Sequence, residues 1–208
     1  MRVFISVALA LILSVGVASA KPGPVKVTIA AQPSVVTYGS QTTLSGAVSS
    51  QQTDVKVTVS AEQCGSNSFK TLTSVTSSSG GTWSTTAKPT ARTAYQAKAK
   101  SATSPAVTVQ VRPQVSLAKI APHRFRTRVL AAQSFAGRIA LFQRRTATGW
   151  TTVKSVTLRL ISSGPAPTIV SGKTFRSGIR RGKTVRMLLT QRQVGACYLP
   201  GISNTIAS

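Results

Sequence analysis

The sequence predicts an all-β fold: two tandem immunoglobulin-like β-sandwich domains following a cleaved export signal. Three observations carry this expectation. Apolar and polar residues alternate over short runs bounded by Gly, Pro, Ser and Asn. The second half of the chain repeats the first. No window carries the apolar period of a helix.

The elements follow in order. Residues 1–20, MRVFISVALALILSVGVASA, hold one basic residue (Arg2), an apolar run from Val3 to Val17 and an Ala18-Ser19-Ala20 cleavage site. That is the pattern of a secretory signal peptide, and the apolar run falls short of the ~20 residues that span a bilayer. No later stretch is apolar enough to cross a membrane, so the mature protein is expected to be secreted, or associated with the cell envelope.

Seven alternating segments follow: 25–29, 42–48, 55–61, 69–76, 81–87, 93–100 and 106–111. Short strands at this spacing, divided by turn residues, are the mark of an immunoglobulin-type sandwich over 21–112. The segment 56–76 aligns with 138–158 across one gap. Lys56 then falls on Arg138, Val57 on Ile139, Val59 on Leu141, Phe69 on Trp150 and Val75 on Val156. An internal repeat makes 113–208 a second, divergent sandwich. The junction VRPQV (111–115) leaves little linker, and Pro113 stiffens it.

The motifs YG (38–39), LSG (44–46), GGTWS (80–84) and TAYQAKA (93–99) resemble those of bacterial Ig-like repeats in exported surface proteins. The second half is similar to the divergent copy found beside such repeats, and 158–172 departs from the pattern. The likeness implies a fold; function must be argued from the site.

Composition excludes much. There are 26 Lys and Arg against 2 Asp and Glu and 1 His, for a net charge of +24. With only Asp54 and Glu62 as carboxylates, and His123 as the one histidine, neither an acid/base pair nor a multi-ligand metal site is expected. No GxSxG elbow, phosphate loop or Cys–His pair is legible, so no enzyme and no cofactor is expected. The aromatics Trp83, Tyr95 and Trp150 read as sandwich-core residues, with Tyr95 where such domains place a corner tyrosine bonded to backbone. Cys64 and Cys197 lie in different halves; in an oxidising compartment they form one cross-domain disulfide, stay separate thiols, or pair between molecules.

The charge is uneven. Residues 113–208 carry 16 Lys and Arg and no acid, whereas 25–112 carry 8 and both acids. On one strand, Arg124, Arg126 and Arg128 share a face, with heads about 7 Å apart. Arg144, Arg145, Arg159, Arg180, Arg181, Lys183 and Arg186 are expected to extend that row. Planar guanidinium groups suit phosphate, sulfate and carboxylate. Two readings stand: affinity for polyanions, or a merely solvated basic face. The expected function is a non-enzymatic structural or adhesive module at the envelope that binds anionic polymers. The alternatives are an extracellular nucleic-acid or acidic-polysaccharide binder, and an accessory subunit that meets a protein partner through open strand edges.

Overall fold

The computed structural model describes residues 24–208; the signal peptide expected over 1–20 lies outside them. Runs of Val and Thr with polar partners favour extended backbone, and strand is the dominant element of the described chain. The first half comprises β1 (Ala30–Gln32), β2 (Val35–Thr37), β3 (Thr42–Ala47), β4 (Lys56–Gln63), β5 (Lys70–Thr76), β6 (Thr82–Ala87), β7 (Thr93–Ala99), β8 (Ala102–Thr103) and β9 (Val107–Arg112). They form two sheets, β1-β3-β6 and β2-β9-β7-β4-β5, with β8 attached to β7. The second half comprises β10 (Gln114–Ala121), β11 (Arg124–Ala131), β12 (Ile139–Thr146), β13 (Gly149–Thr157), β14 (Arg159–Ser163), β15 (Ile169–Arg176), β16 (Thr184–Leu189), β17 (Gly201–Ile202) and β18 (Ile206–Ala207). Their sheets are β10-β11-β15-β14 and β13-β12-β16-β17, with β18 also on β16. A four-residue helix, α1 (Gln191–Val194), precedes the final segment.

The two halves repeat one strand order. β1-β3-β6 corresponds to β10-β11-β15, and β9-β7-β4-β5 to β17-β16-β12-β13. Even the irregularity recurs: the β4–β5 ladder slips between Val59 and Ser60, and the β12–β13 ladder between Phe142 and Gln143. Each slip leaves one residue unpaired, Leu72 in the first half and Val153 in the second, and each is exposed. Among the described residues no strand pairing crosses Pro113.

Inward-facing residues of both sheets make the core. In the first half these include Leu44 and Trp83 on one sheet and Val57, Val59, Ala97 and Val109 on the other. In the second half, Phe125 and Phe175 on one sheet meet Phe142 on the other, with ring centroids 5.0–5.8 Å apart. These separations suit offset or edge-to-face aromatic packing.

Three sequence expectations need correction. The segment 25–29 is not a strand; Val27 makes a single bridge to Val48, and the first ladder begins at Ala30. The repeat alignment is one residue out on β12. Val57 pairs with Val75, and the residue that pairs with Val156 is Ala140, not Ile139. A slip of one reverses the faces, so Ala140 and Phe142 are buried while Ile139 is 39% exposed. The doubtful stretch 158–172 forms the hairpin β14–β15, with β14 as an edge strand exposed along its length.

The chain between Gly195 and Gly201 fastens the second half to the first. Cys64 and Cys197 form a disulfide, with Cα atoms 5.5 Å apart. The Arg92 N–H donates to Cys197 O (2.9 Å), and the Leu199 N–H donates to Val111 O (2.8 Å). Arg112 donates from its guanidinium to Pro200 O (2.8 Å). The buried Tyr198 hydroxyl donates to Thr90 O (2.8 Å) and accepts from the Ala132 N–H (3.2 Å), so one oxygen joins both halves. Also across the junction, the Tyr38 and Thr168 hydroxyls share a hydrogen bond of 3.0 Å.

The bridge closes a loop with a sequence separation of 133 residues. Replacing both cysteines (Cys64→Ser with Cys197→Ser) should lower unfolding stability by about 2–5 kcal/mol. Urea unfolding of the double variant, read beside the oxidised parent, measures this.

Candidate anion-binding site

The arginine row lies on β11. Its inward residues Phe125, Thr127 and Val129 are fully buried, so Arg124, Arg126 and Arg128 project from the outer face and are exposed. Their neighbours on β10 are short: Ser116 opposite Arg128, Ala118 opposite Arg126 and Ala121 opposite Arg124. On the other side, Gly172 of β15 separates Arg128 from Arg159 of β14. A side chain at Gly172 would collide with the Thr127 carbonyl and approach Ile161 Cδ1 to 2.7 Å, so Arg128 and Arg159 flank a position that holds only glycine.

The ten cations expected in one row do not all lie on it. Consecutive residues on a strand point to opposite faces, and this separates Arg144 from Arg145. Arg144 lines a groove of about 970 Å³ at the end of the second half remote from the first. Lys154, Arg176, Arg180 and Lys183 line the same groove, beside the hydroxyls of Thr151, Thr152 and Ser177. Lys154 is held in place by donating to Arg176 O (2.9 Å). A smaller recess of about 440 Å³ shares Lys154 and Arg176 and adds Arg159 and Lys173.

The loop that carries Arg180 and Lys183 is tied to Ser208. The Ser208 N–H donates to Lys183 O (2.9 Å), its hydroxyl donates to Arg180 O, and the Lys183 N–H donates back to that hydroxyl (3.0 Å). Arg181 is exposed on the same loop, away from the groove lining.

Arg145 and Arg186 belong to a third place, the outer face of the β12–β16 sheet. The Arg186 guanidinium lies 4.0 Å from the centroid of Trp150, and that of Arg145 lies 5.6 Å away. Arg186 also donates to the Gln143 side chain (3.0 Å). Burial, and then the nearby Arg145 charge, pulls the Arg186 guanidinium below its ordinary pKa.

This corrects the reading of Trp150 as a core residue. It pairs with Arg145 across the β12–β13 ladder and is half-exposed, a platform for cations on the sheet surface. Trp83, by contrast, is 4% exposed, and its indole N–H is buried without a partner. Tyr95 is buried in the first half, and burial raises its phenol pKa. The tyrosine hydroxyl that bonds backbone at a junction is that of Tyr198, which sequence reading passed over. Its signal was adjacency to Cys197. Lys154, Lys173 and Arg176 were passed over as well, because none of them adjoins another basic residue in the sequence.

His123 occupies the β10–β11 turn with φ +58°, and its carbonyl accepts from the Ser177 N–H (3.0 Å). Among the described residues, no group of three or more His, Cys, Asp or Glu gathers as a metal site would require. Among them, too, no helix is long and apolar enough to cross a membrane.

The two tryptophans should respond differently to truncation. Trp83→Ala should cost about 3–5 kcal/mol, as expected for a buried aromatic. Trp150→Ala should cost less, about 1–2 kcal/mol, the scale of a partly desolvated cation–π contact. Thermal unfolding of both variants checks the contrast; equal losses would return Trp150 to the core.

No protein-family model matches the chain, and no curated protein matches it. Among solved structures, a purple acid phosphatase from yellow lupin (Lupinus luteus) seeds is similar at 11% identity, with a TM-score of 0.40. That match covers 88% of this chain and 40% of the phosphatase, so this chain spans well under half the length of that protein. A likeness at this level carries no argument about activity.

Proposed function

We propose that this is an exported, non-enzymatic protein of two tandem Ig-like sandwiches, acting as a structural or adhesive module at the cell envelope. Its second sandwich binds anionic polymers. The repeated strand order and the shared bulge support the tandem reading. The signal-peptide pattern supports export, and the disulfide fits an oxidising compartment.

The observation that carries the binding role is the groove. Five cations (Arg144, Lys154, Arg176, Arg180 and Lys183) line it in a half of the chain that contains no Asp or Glu. A concave site lined by one sign of charge focuses the field and raises the local concentration of counter-ions. With no acidic side chains in this half, an external anion is the natural counter-charge.

A dedicated nucleic-acid binder would interleave aromatics with its cations. Here the groove lining contains no aromatic residue, and Trp150, on the same strand as residues 151–154, turns to the opposite face under Arg186. The accessory-subunit reading has one observation behind it. The edge strand β14 exposes Leu160 (57%) and Ile161 (47%) beside unpaired backbone. If that edge recruits the protein to an assembly, Ile161→Lys should abolish co-sedimentation with the envelope fraction and leave polyanion retention intact.

The main test is retention of the mature protein on an anionic resin as salt rises. The parent should bind at low salt and elute in a salt-dependent step, and Arg144→Gln with Lys183→Gln should elute earlier. A parent that passes through at low salt ends the polyanion reading.

A further inference from the structure

We propose that the Arg row of β11 and the groove form one continuous track. It takes a single linear polymer of phosphate or sulfate esters, recognised through its oxyanions alone. This rests on the polyanion reading above and adds to it a path, a direction and a ligand chemistry.

Continuity is the first argument. Arg124, at the end of the row, is the cross-strand partner of Arg176, which lines the groove. The turn before Arg124 is joined to the groove wall by the hydrogen bond from Ser177 to His123. The path therefore runs from Arg128 through Arg126 and Arg124 to Arg176, and on to Lys154, Arg180, Lys183 and Arg144. From Arg128 to Arg124 it covers about 14 Å of strand.

Openness is the second argument. Beside the row, the direct partners on β10 are the small residues Ser116, Ala118 and Ala121, and the bulky exposed side chain of that strand, Ile120, sits at the bulge by the Arg124 end. Arg159 flanks the far end of the row across Gly172, and it belongs to the same recess as Lys173 and Arg176.

Donor chemistry is the third argument. The groove offers guanidinium, ammonium and hydroxyl donors, and neither an aromatic platform nor a carboxylate lies among its lining residues. A nucleobase or a neutral sugar ring finds no aromatic ring there to stack upon. An ester oxyanion, with several acceptor oxygens around one centre, uses such donors fully, and arginine meets it through a planar fork.

A track, unlike a generally basic surface, makes affinity depend on ligand length and on which cations are removed. The probes are long-chain polyphosphate, dextran sulfate and tripolyphosphate. The variants are a row pair (Arg126→Gln with Arg128→Gln), a groove pair (Arg144→Gln with Lys183→Gln) and a control pair of equal charge (Arg138→Gln with Arg192→Gln). All six residues are exposed, so the fold should tolerate each change. The control pair lies at the end near the first half, where the Ile139 N–H meets the Gln193 side chain.

With a long polymer, the row and groove pairs should each reduce the slope of log affinity against log salt by about 2, roughly one per cation removed. The control pair should leave that slope unchanged. Tripolyphosphate should respond to the groove pair alone. The proposal stands if at least one long polymer behaves this way. It falls if the control pair matches the other two, since net charge would then explain everything, or if the row pair leaves long-polymer binding unchanged. A parent protein that binds neither polymer at low salt removes the polyanion reading itself, and the track with it.

Discussion

The attachment of residues 197–200 to the first half is the constraint on which the arrangement depends. The covalent connection at Pro113 fixes one point of contact between the halves, and a single point leaves a hinge. The disulfide, the backbone bonds from Arg92 and Leu199 and the shared Tyr198 hydroxyl supply a second line of attachment. The Tyr38–Thr168 bond adds a third on another strand. Burial raises the Tyr198 phenol pKa, so its hydroxyl keeps its proton, and with it the donor that Thr90 accepts, throughout the neutral range. Because the start of β10, the end of β11 and the start of β15 are committed to the junction, the opposite ends of those strands are the free ones. Those ends carry Arg124, Arg176 and the loop with Arg180 and Lys183. The position of the basic tip thus follows from where the halves are fastened.

How far the sequence disclosed this depends on the local pattern. β4 and β7 alternate cleanly, and Val57, Val59, Ala97 and Ala99 are buried as alternation demands. On β11 the parity of Arg and apolar residues is equally clean. β12 is different: Ile139, Ala140, Leu141 and Phe142 are all apolar, so the run carries no parity and an alignment gap can fall either way. The slip of one that results moves the faces of β12, and it accompanies the misplacement of Trp150. β14 fails for another reason. It is an edge strand with Leu160 and Ile161 both exposed, so burial imposes no alternation to read. The groove was illegible because its five cations come from four stretches of chain, and only the ladders bring them to one place.

The three groups of cations differ in what they require. Arg145 and Arg186 have local compensation, since the Trp150 ring faces both and Gln143 accepts from Arg186. Cation–π contacts of this kind contribute about 1–2 kcal/mol when partly desolvated. The arginines of the row have only solvent, and their spacing of about 7 Å lies inside the ~8 Å Debye length of physiological salt. Their mutual repulsion is therefore only partly screened.

The groove is the place where that repulsion is concentrated. Its wall is concave, the Lys154 ammonium is fixed on the Arg176 carbonyl, and the backbone of the loop that carries Arg180 and Lys183 is tied to Ser208. Holding like charges together costs stability in the free protein, and a bound polyanion removes that cost. Binding there should consequently stabilise the second half, whereas binding at the Trp150 cluster, already compensated, should not. The scarcity of carboxylates thus leaves the cations of the groove with no Asp or Glu side chain of their own half to pair with.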